Sequence, residues 1–124
     1  MVTMVEELVR TRYGALVGFA TMLTGNAVEA EDVVQDALVV VFGRRVSFPT
    51  LGHAESYVRR TIASRFVDSR RGRQRQRLRE IRVDREAVSY PHTPDAQIVN
   101  RLDIETALAD LAPRVRACVA LRYL

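Results

Sequence analysis

Two groups of polar side chains are spaced so that they could support binding chemistry. The first recurs at intervals of three and four residues, as on one helix face, and consists of Glu29, Asp32, Gln35 and Asp36. The second lies in residues 44–85, where thirteen arginines and four acidic residues give a net charge of +9. Residues 1–43, with two arginines and six acids, have a net charge of −4. Neighbouring segments of opposite charge predict two partners of opposite charge.

No group of residues has the composition and spacing of a catalytic or metal site. His53 and His92 have no cysteine or histidine at ligand spacing. The chain also lacks a phosphate-binding glycine loop and a nucleophile elbow. Its one cysteine, Cys118, lies among apolar residues, a pattern typical of a small buried side chain. We therefore expect a protein that is not an enzyme and needs neither metal nor cofactor.

The composition is that of a soluble globular protein. The 124 residues are 48% hydrophobic and 27% charged. The longest apolar run, residues 37–42, is far shorter than the roughly 20 residues of a membrane helix. The N-terminus also lacks the features of a signal peptide. These observations predict a cytoplasmic protein without membrane insertion.

Helical periodicity dominates the first 43 residues. In the first predicted helix, Thr3 and Glu6 form a capping signal and Gly25 is a stop signal. Gly14 and Gly18 predict a flat patch for close helix packing. Its expected core face comprises Val5, Leu8, Val9, Tyr13, Leu16, Val17, Ala20 and Leu23. The second predicted helix starts at an Asn26 cap and ends at Gly43, and its expected core face comprises Val28, Val33, Val34, Ala37, Leu38, Val41 and Phe42.

The rest of the chain also predicts helices, so the expected fold class is all-α. Residues 47–52 contain proline and glycine and predict a loop, followed by a helix from near His53 into the arginine-rich stretch 70–79. A linker precedes Thr93-Pro94-Asp95, which is typical of a helix start, and Pro113 starts a last helix. The apolar residues of these last helices are expected to pack within the chain or against a neighbouring copy.

Three segments together resemble a known family. Residues 30–38 resemble the segment with which bacterial sigma factors bind RNA polymerase. Residues 57–63, followed by Asp68 and Arg70-Arg71, resemble the −10 recognition helix of the small extracytoplasmic-function (ECF) class. Residues 108–114 and 121–124 resemble the opening of the second domain, which reads the −35 element. The order and spacing of the three agree with the family.

The resemblance implies a domain organisation. Residues 1–79 would form a three-helix sigma region-2 domain, residues 80–93 a linker, and residues 94–124 an incomplete beginning of the region-4 domain, with two helices. The helix-turn-helix of that second domain would lie beyond Leu124.

The resemblance also implies partners and contact residues. Asp32, Gln35 and Asp36 match the positions that contact a basic coiled coil of the polymerase β′ subunit. Melted, single-stranded −10 promoter DNA would be bound by the loop 47–53 and the following helix. The candidate DNA-binding residues are Phe48, Thr50, His53, Arg59, Arg60, Ser64, Arg65, Arg70 and Arg71. Phe48 has a competing role as a core anchor, and Arg70 and Arg71 a competing one as a soluble helix end. Tyr57 and Ser64 replace a frequent tryptophan and asparagine, which leaves the preferred promoter sequence open.

Two other functions stay open from the residues alone. One is a DNA-binding regulator that acts without polymerase, which would need a complete helix-turn-helix or a dimer interface. The other is a sigma-like interaction module, a decoy that binds an anti-sigma protein. Association with purified polymerase core would separate a sigma factor from both.

Overall fold

The computed structural model describes residues 3–44, 47–80 and 99–124, and the regular elements among them are α-helices. In chain order these are α1 (Met4–Thr24), α2 (Ala27–Gly43), α3 (Leu51–Glu80), α4 (Val99–Ala109) and α5 (Pro113–Tyr123). The all-α prediction is confirmed. Among the described residues, no helix combines the length and apolar character needed to cross a membrane.

The first two helices begin and end where the sequence predicts. Thr3 Oγ1 accepts a hydrogen bond of 3.3 Å from the backbone N–H of Glu6. Gly25 ends α1 at a φ of 72°, in the left-handed region that glycine adopts without strain. Asn26 Oδ1 accepts bonds of 2.9 and 3.1 Å from the N–H groups of Val28 and Glu29. The connection between the two helices is short, and α2 packs against α1.

The core lies where α1, α2 and α3 meet. Its largest fully buried side chains are Phe66, Leu8, Leu16, Leu23, Ile62, Val34, Val41 and Val58. Two predicted core residues are exposed instead: Val9 of α1 by 40% and Val28 of α2 by 71%. Both lie on helix faces that no described helix covers. Phe19, which was not predicted as a core residue, is only 5% exposed.

The prediction that Gly14 and Gly18 form a close-packing patch on α1 is wrong. Among the described residues, no atom lies within 4 Å of a Cβ atom placed on Gly14 or Gly18, apart from its chain neighbours and its own helix backbone. Gly14 is exposed and Gly18 half-buried, because α2 and α3 pack against the leucine face of α1. Helical spacing of two glycines therefore did not identify the packed side of this helix.

The last two helices fold back on the first three. Helix α5 packs against α3 and α1, and α4 packs against α1. Of the two expected alternatives, packing within the chain is the one observed. Small side chains carry much of it, since Ala117 and Ala120 are buried while Val115 and Leu121 are exposed. Cys118 is exposed, so its predicted burial is wrong. The predicted start at Thr93-Pro94-Asp95 lies outside the described residues, as does the predicted linker except for Glu80, the last residue of α3.

Candidate functional site

Helix α2 presents an exposed row that combines acidic and apolar side chains. Asp32, Gln35 and Asp36 are all exposed. Val28 and Val39 are 71% and 72% exposed, and at 100° per residue both lie within about 40° of Asp32 around the helix. A partner that covered these valines would gain free energy from them, because apolar surface is stabilised when it leaves water.

Glu29 does not belong to this exposed row, although its spacing in the sequence predicted that it shares a helix face with Asp32, Gln35 and Asp36. Its carboxylate accepts ion pairs of 3.1 Å from both Arg70 and Arg73 of α3. The side chains of Glu29 and Arg70 are only 17% and 20% exposed. Glu29 therefore joins α2 to α3 and is not available as a contact residue on the open face.

Helix α3 carries a straight row of exposed polar residues. His53, Arg60, Ser64 and Arg71 are all exposed and follow one another at intervals of seven, four and seven residues. These intervals are close to whole helical turns, so the four side chains occupy one line about 27 Å long. A row of this length could follow several nucleotides of a single strand, with arginines next to phosphates.

Two further predicted DNA contacts on α3 have different environments. Arg59 is half-buried, and its guanidinium lies over the ring of Phe19 at 4.4 Å from the centroid. Its Nε–H group is buried and has no hydrogen-bond partner among the described residues. Arg65 is exposed but lies about 140° around the helix from Arg60. The structure therefore does not bring Arg65 onto the same line as Arg60.

Arg70 is engaged inside the protein. Besides pairing with Glu29, it donates a hydrogen bond of 3.1 Å to the backbone carbonyl of Thr24, at the end of α1. Its guanidinium also lies 5.1 Å from the centroid of the Phe66 ring. Three helices thus meet at this side chain, which supports a structural role for Arg70. Arg71, the next residue, is exposed.

The segment between α2 and α3 is shorter than predicted. Helix α3 begins at Leu51, so His53 lies in its first turn instead of in the loop. Thr50 Oγ1 accepts a bond of 3.2 Å from the backbone N–H of His53 and lies 2.6 Å from His53 Nδ1. A side-chain oxygen that satisfies a free N–H of the first turn is what starts the helix earlier.

Phe48 joins the two helices that flank this segment. Its ring centroid lies 6.1 Å from that of Phe42 in α2 and 5.4 Å from that of Tyr57 in α3. The ring is half-buried and packs against the core. Its surroundings favour the core-anchor role over a contact with a flipped base, while Tyr57 is 39% exposed and keeps an accessible ring.

Arg116 of α5 has a structural role that the sequence analysis did not predict. Its guanidinium donates hydrogen bonds to the carbonyl oxygens of Leu23, Ala109 and Leu111. Burial lowers the pKa of Arg116, and the charge of nearby Arg70 lowers it further. Nothing near Arg116 in sequence signals a bond to a residue of α1. Exposed Val28 and Val39 were also missed, although their helical spacing from Asp32 could have identified them.

Comparison with known proteins gives a consistent result. Residues 8–76 match the family model described as sigma-70 region 2. The RNA polymerase sigma-E factor of Streptomyces coelicolor is 31% identical over 118 residues, which cover 95% of this chain and 65% of that protein. The ECF RNA polymerase sigma factor SigE of Mycolicibacterium smegmatis is 33% identical over 120 residues, which cover 94% of this chain and 46% of that protein. The chain thus spans less than two thirds of these relatives' length. No solved structure gives a significant match.

Proposed function

This chain belongs to the ECF class of the sigma-70 family of RNA polymerase sigma factors, and on that premise we propose that it acts in transcription initiation. Helix α2 docks on the polymerase core, against the basic coiled coil of the β′ subunit. The exposed row of α3 binds the −10 promoter element as single-stranded DNA and so helps to melt it. The place of action is the cytoplasm.

The observation that carries the proposal is the exposed row of α2. Asp32 and Asp36 offer carboxylates to a basic partner, and Val28 and Val39 add apolar surface that no described helix covers. Interface charges mainly set association rate and specificity, whereas buried apolar side chains add affinity. The combination suits a partner that is basic and has apolar side chains among its charges.

The DNA-binding half of the proposal rests on α3. Arg60 and Arg71 are exposed, and no described residue forms an ion pair with either of them. Ser64 between them can donate to a phosphate or a base. Tyr57 lies close to this row and offers a ring on which an unpaired base could stack. These features fit a single strand better than a duplex groove, which would be read by a helix-turn-helix.

Association with purified polymerase core tests the proposal. We expect the wild-type chain to be retained by immobilised core enzyme and the double substitution Asp32→Arg with Asp36→Arg to be lost. Both residues are exposed, so the free energy of unfolding should change by only about 0.5 kcal/mol.

The matched control is Asp103→Arg with Asp110→Arg. These two exposed acids belong to α4 and the turn after it, so the control changes the net charge equally at another place. Retention of both double variants would contradict the proposed docking face. Loss of both would show that retention depends on overall charge and not on α2. Failure of the wild-type chain to bind core would favour the decoy or the polymerase-independent regulator.

A further inference from the structure

The junction between α3 and α5 contains an open cleft with a volume of about 540 Å³. Helix α3 contributes Ser56, Arg59 and Arg60 to it, and α5 contributes Cys118, Leu121 and Arg122. Three arginines and a serine therefore border one space, and no acidic residue lines it. A second cleft of about 350 Å³ continues along the same junction and shares Arg60, Cys118 and Leu121 with the first. It is also lined by the acidic Asp68 and by Arg71 and Arg114.

No arginine of this cleft forms an ion pair with a residue in the described part of the chain. The four ion pairs found there involve Arg10, Arg12, Arg70 and Arg73, and none involves a cleft residue. Arg59 also has a buried Nε–H without an acceptor. Like charges repel, so an anion in the cleft would offset the repulsion between these arginines.

Both walls of the cleft are held in place by neighbouring contacts. Arg59 is fixed over the ring of Phe19. Helix α5 is fixed by the buried side chains of Ala117 and Ala120 and by Arg116, whose Nη1 donates a 2.8 Å bond to the Leu23 carbonyl. The Arg59 side chain and the two helices that form the walls are thus held in place before a ligand binds, which lowers the entropy lost on binding.

We infer that the α3–α5 cleft binds a phosphate group, with Arg122 of α5 joining Arg59 and Arg60 of α3. Guanidinium groups suit this ligand because their planar N–H donors match the oxygen atoms of phosphate. The volume leaves room for a nucleotide-sized group attached to that phosphate. The phosphate could belong to a DNA strand or to a free phosphorylated compound, and the chemistry of the contact is the same.

The inference does not rest on the proposed sigma function, because half of the cleft belongs to α5. It shares Arg59 and Arg60 with the proposed DNA-binding surface. Because α3 and α5 each form one wall, the cleft exists only while α5 is docked on α3. A bound phosphate group therefore stabilises the docked arrangement.

Cys118 provides a direct probe of occupancy, because it is the one cysteine of the chain, is exposed and lines the cleft. The experiment measures the alkylation rate of Cys118 with and without pyrophosphate, at constant ionic strength adjusted with chloride. In the wild-type chain, pyrophosphate at ten times its Kd should slow alkylation about tenfold, because the reaction follows the unoccupied fraction. Comparing the two rates within each variant removes any effect of the substitution on the thiol itself.

Substitution of Arg122 decides whether α5 forms part of the site. Arg122→Ala should abolish most of the protection, and Arg122→Lys should retain part of it. The matched control, Arg75→Ala, removes an exposed arginine of α3 that does not line the cleft and should keep the wild-type protection. Arg122 is exposed near the end of α5, so its loss should leave the fold intact. No protection in the wild-type chain, or equal protection in Arg122→Ala, would overturn the inference.

A second arm identifies the source of the phosphate. A five-nucleotide single-stranded DNA of mixed sequence replaces pyrophosphate, with and without Arg122→Ala. If the strand protects Cys118 and Arg122→Ala removes that protection, the cleft binds DNA phosphates. If only pyrophosphate protects, it binds free phosphorylated compounds. Pyrophosphate protection in a chain that fails to bind polymerase core would leave the cleft established and contradict only the proposed sigma function.

Discussion

Arg116 of α5 donates a 2.8 Å hydrogen bond from Nη1 to the carbonyl oxygen of Leu23, 93 residues earlier in the chain. Leu23 lies in the last turn of α1, where carbonyl groups have no partner within their own helix. The same guanidinium also bonds to Ala109 and Leu111, at the end of α4 and in the turn after it. One side chain thereby connects α1, α4 and α5, so the placement of the last helix depends on it.

Arg116→Ala should therefore release α5 from α1 and α3. Loss of charged hydrogen bonds to three carbonyl groups should weaken docking by about 2 kcal/mol. Amide hydrogen exchange in α5 should then accelerate about 30-fold relative to wild type. Arg114→Ala is the control, because Arg114 is exposed and on the same helix. Equal exchange rates in the two variants would show that Arg116 does not hold α5.

Glu29→Gln should destabilise the packing of α2 on α3. The substitution keeps the size of the side chain but removes the charge that pairs with Arg70 and Arg73. Because the Glu29–Arg70 pair is largely shielded from water, we expect a loss of about 1–2 kcal/mol in the free energy of unfolding. Urea denaturation measures it. The nearby Glu31→Gln changes an exposed residue and should shift stability by less than about 0.5 kcal/mol. Equal denaturation midpoints would contradict a bracing role for Glu29.

Val39→Ser should weaken binding to polymerase core without loss of stability. Val39 is 72% exposed in the free chain, so the substitution costs the fold little. If a partner covers this valine, loss of its apolar surface should lower affinity about tenfold, or about 1.4 kcal/mol. Titration of labelled chain with core enzyme measures this. Val115→Ser makes the same change at an exposed position of α5 and should leave affinity unchanged. Unchanged affinity in Val39→Ser would remove the valines from the docking face.

Binding of single-stranded −10 DNA should depend on salt in proportion to the arginines that contact phosphates. Arg60 and Arg71 of the exposed row form no ion pair with a described residue. Two phosphate contacts predict a slope of about −1.4 in a plot of log affinity against log salt, at roughly 0.7 per contact. Arg71→Ala should make the slope shallower by about 0.7. Arg10→Ala, on α1, should leave it unchanged. A wild-type slope near zero would argue against phosphate contacts.

Local features of the chain were predictable from sequence because they depend on neighbouring residues. The caps at Thr3 and Asn26 and the left-handed Gly25 involve hydrogen bonds over two to four residues. Helical periodicity likewise identified most of the buried side of α2. The exposure of Asp32, Gln35 and Asp36 followed from the same periodicity, since charged side chains opposite an apolar stripe stay in water.

Periodicity could not show how far each helix face is covered. It describes which residues share a side, whereas burial depends on which neighbouring helix reaches that side. Val28 continues the apolar pattern of α2 but lies beyond the reach of α1 and α3. Gly14 and Gly18 have the spacing of a packing patch, yet within the described part of the chain no other element comes within 4 Å of a Cβ atom placed on either of them. Cys118 has apolar neighbours in sequence but is exposed in the cleft between α3 and α5.

Tertiary structure alone decided how the charged residues are divided between stability and binding. In the sequence, Glu29 is one of four polar residues on α2, and Arg70 is one of many arginines. Their ion pair joins residues 41 positions apart and removes both from the open surfaces. Only the position of α5 brings Arg122 to Arg59 and Arg60. A sequence shows the sign and local spacing of charges. Which of these charged residues contact one another depends on how the helices pack, because their long side chains reach from one helix to the next.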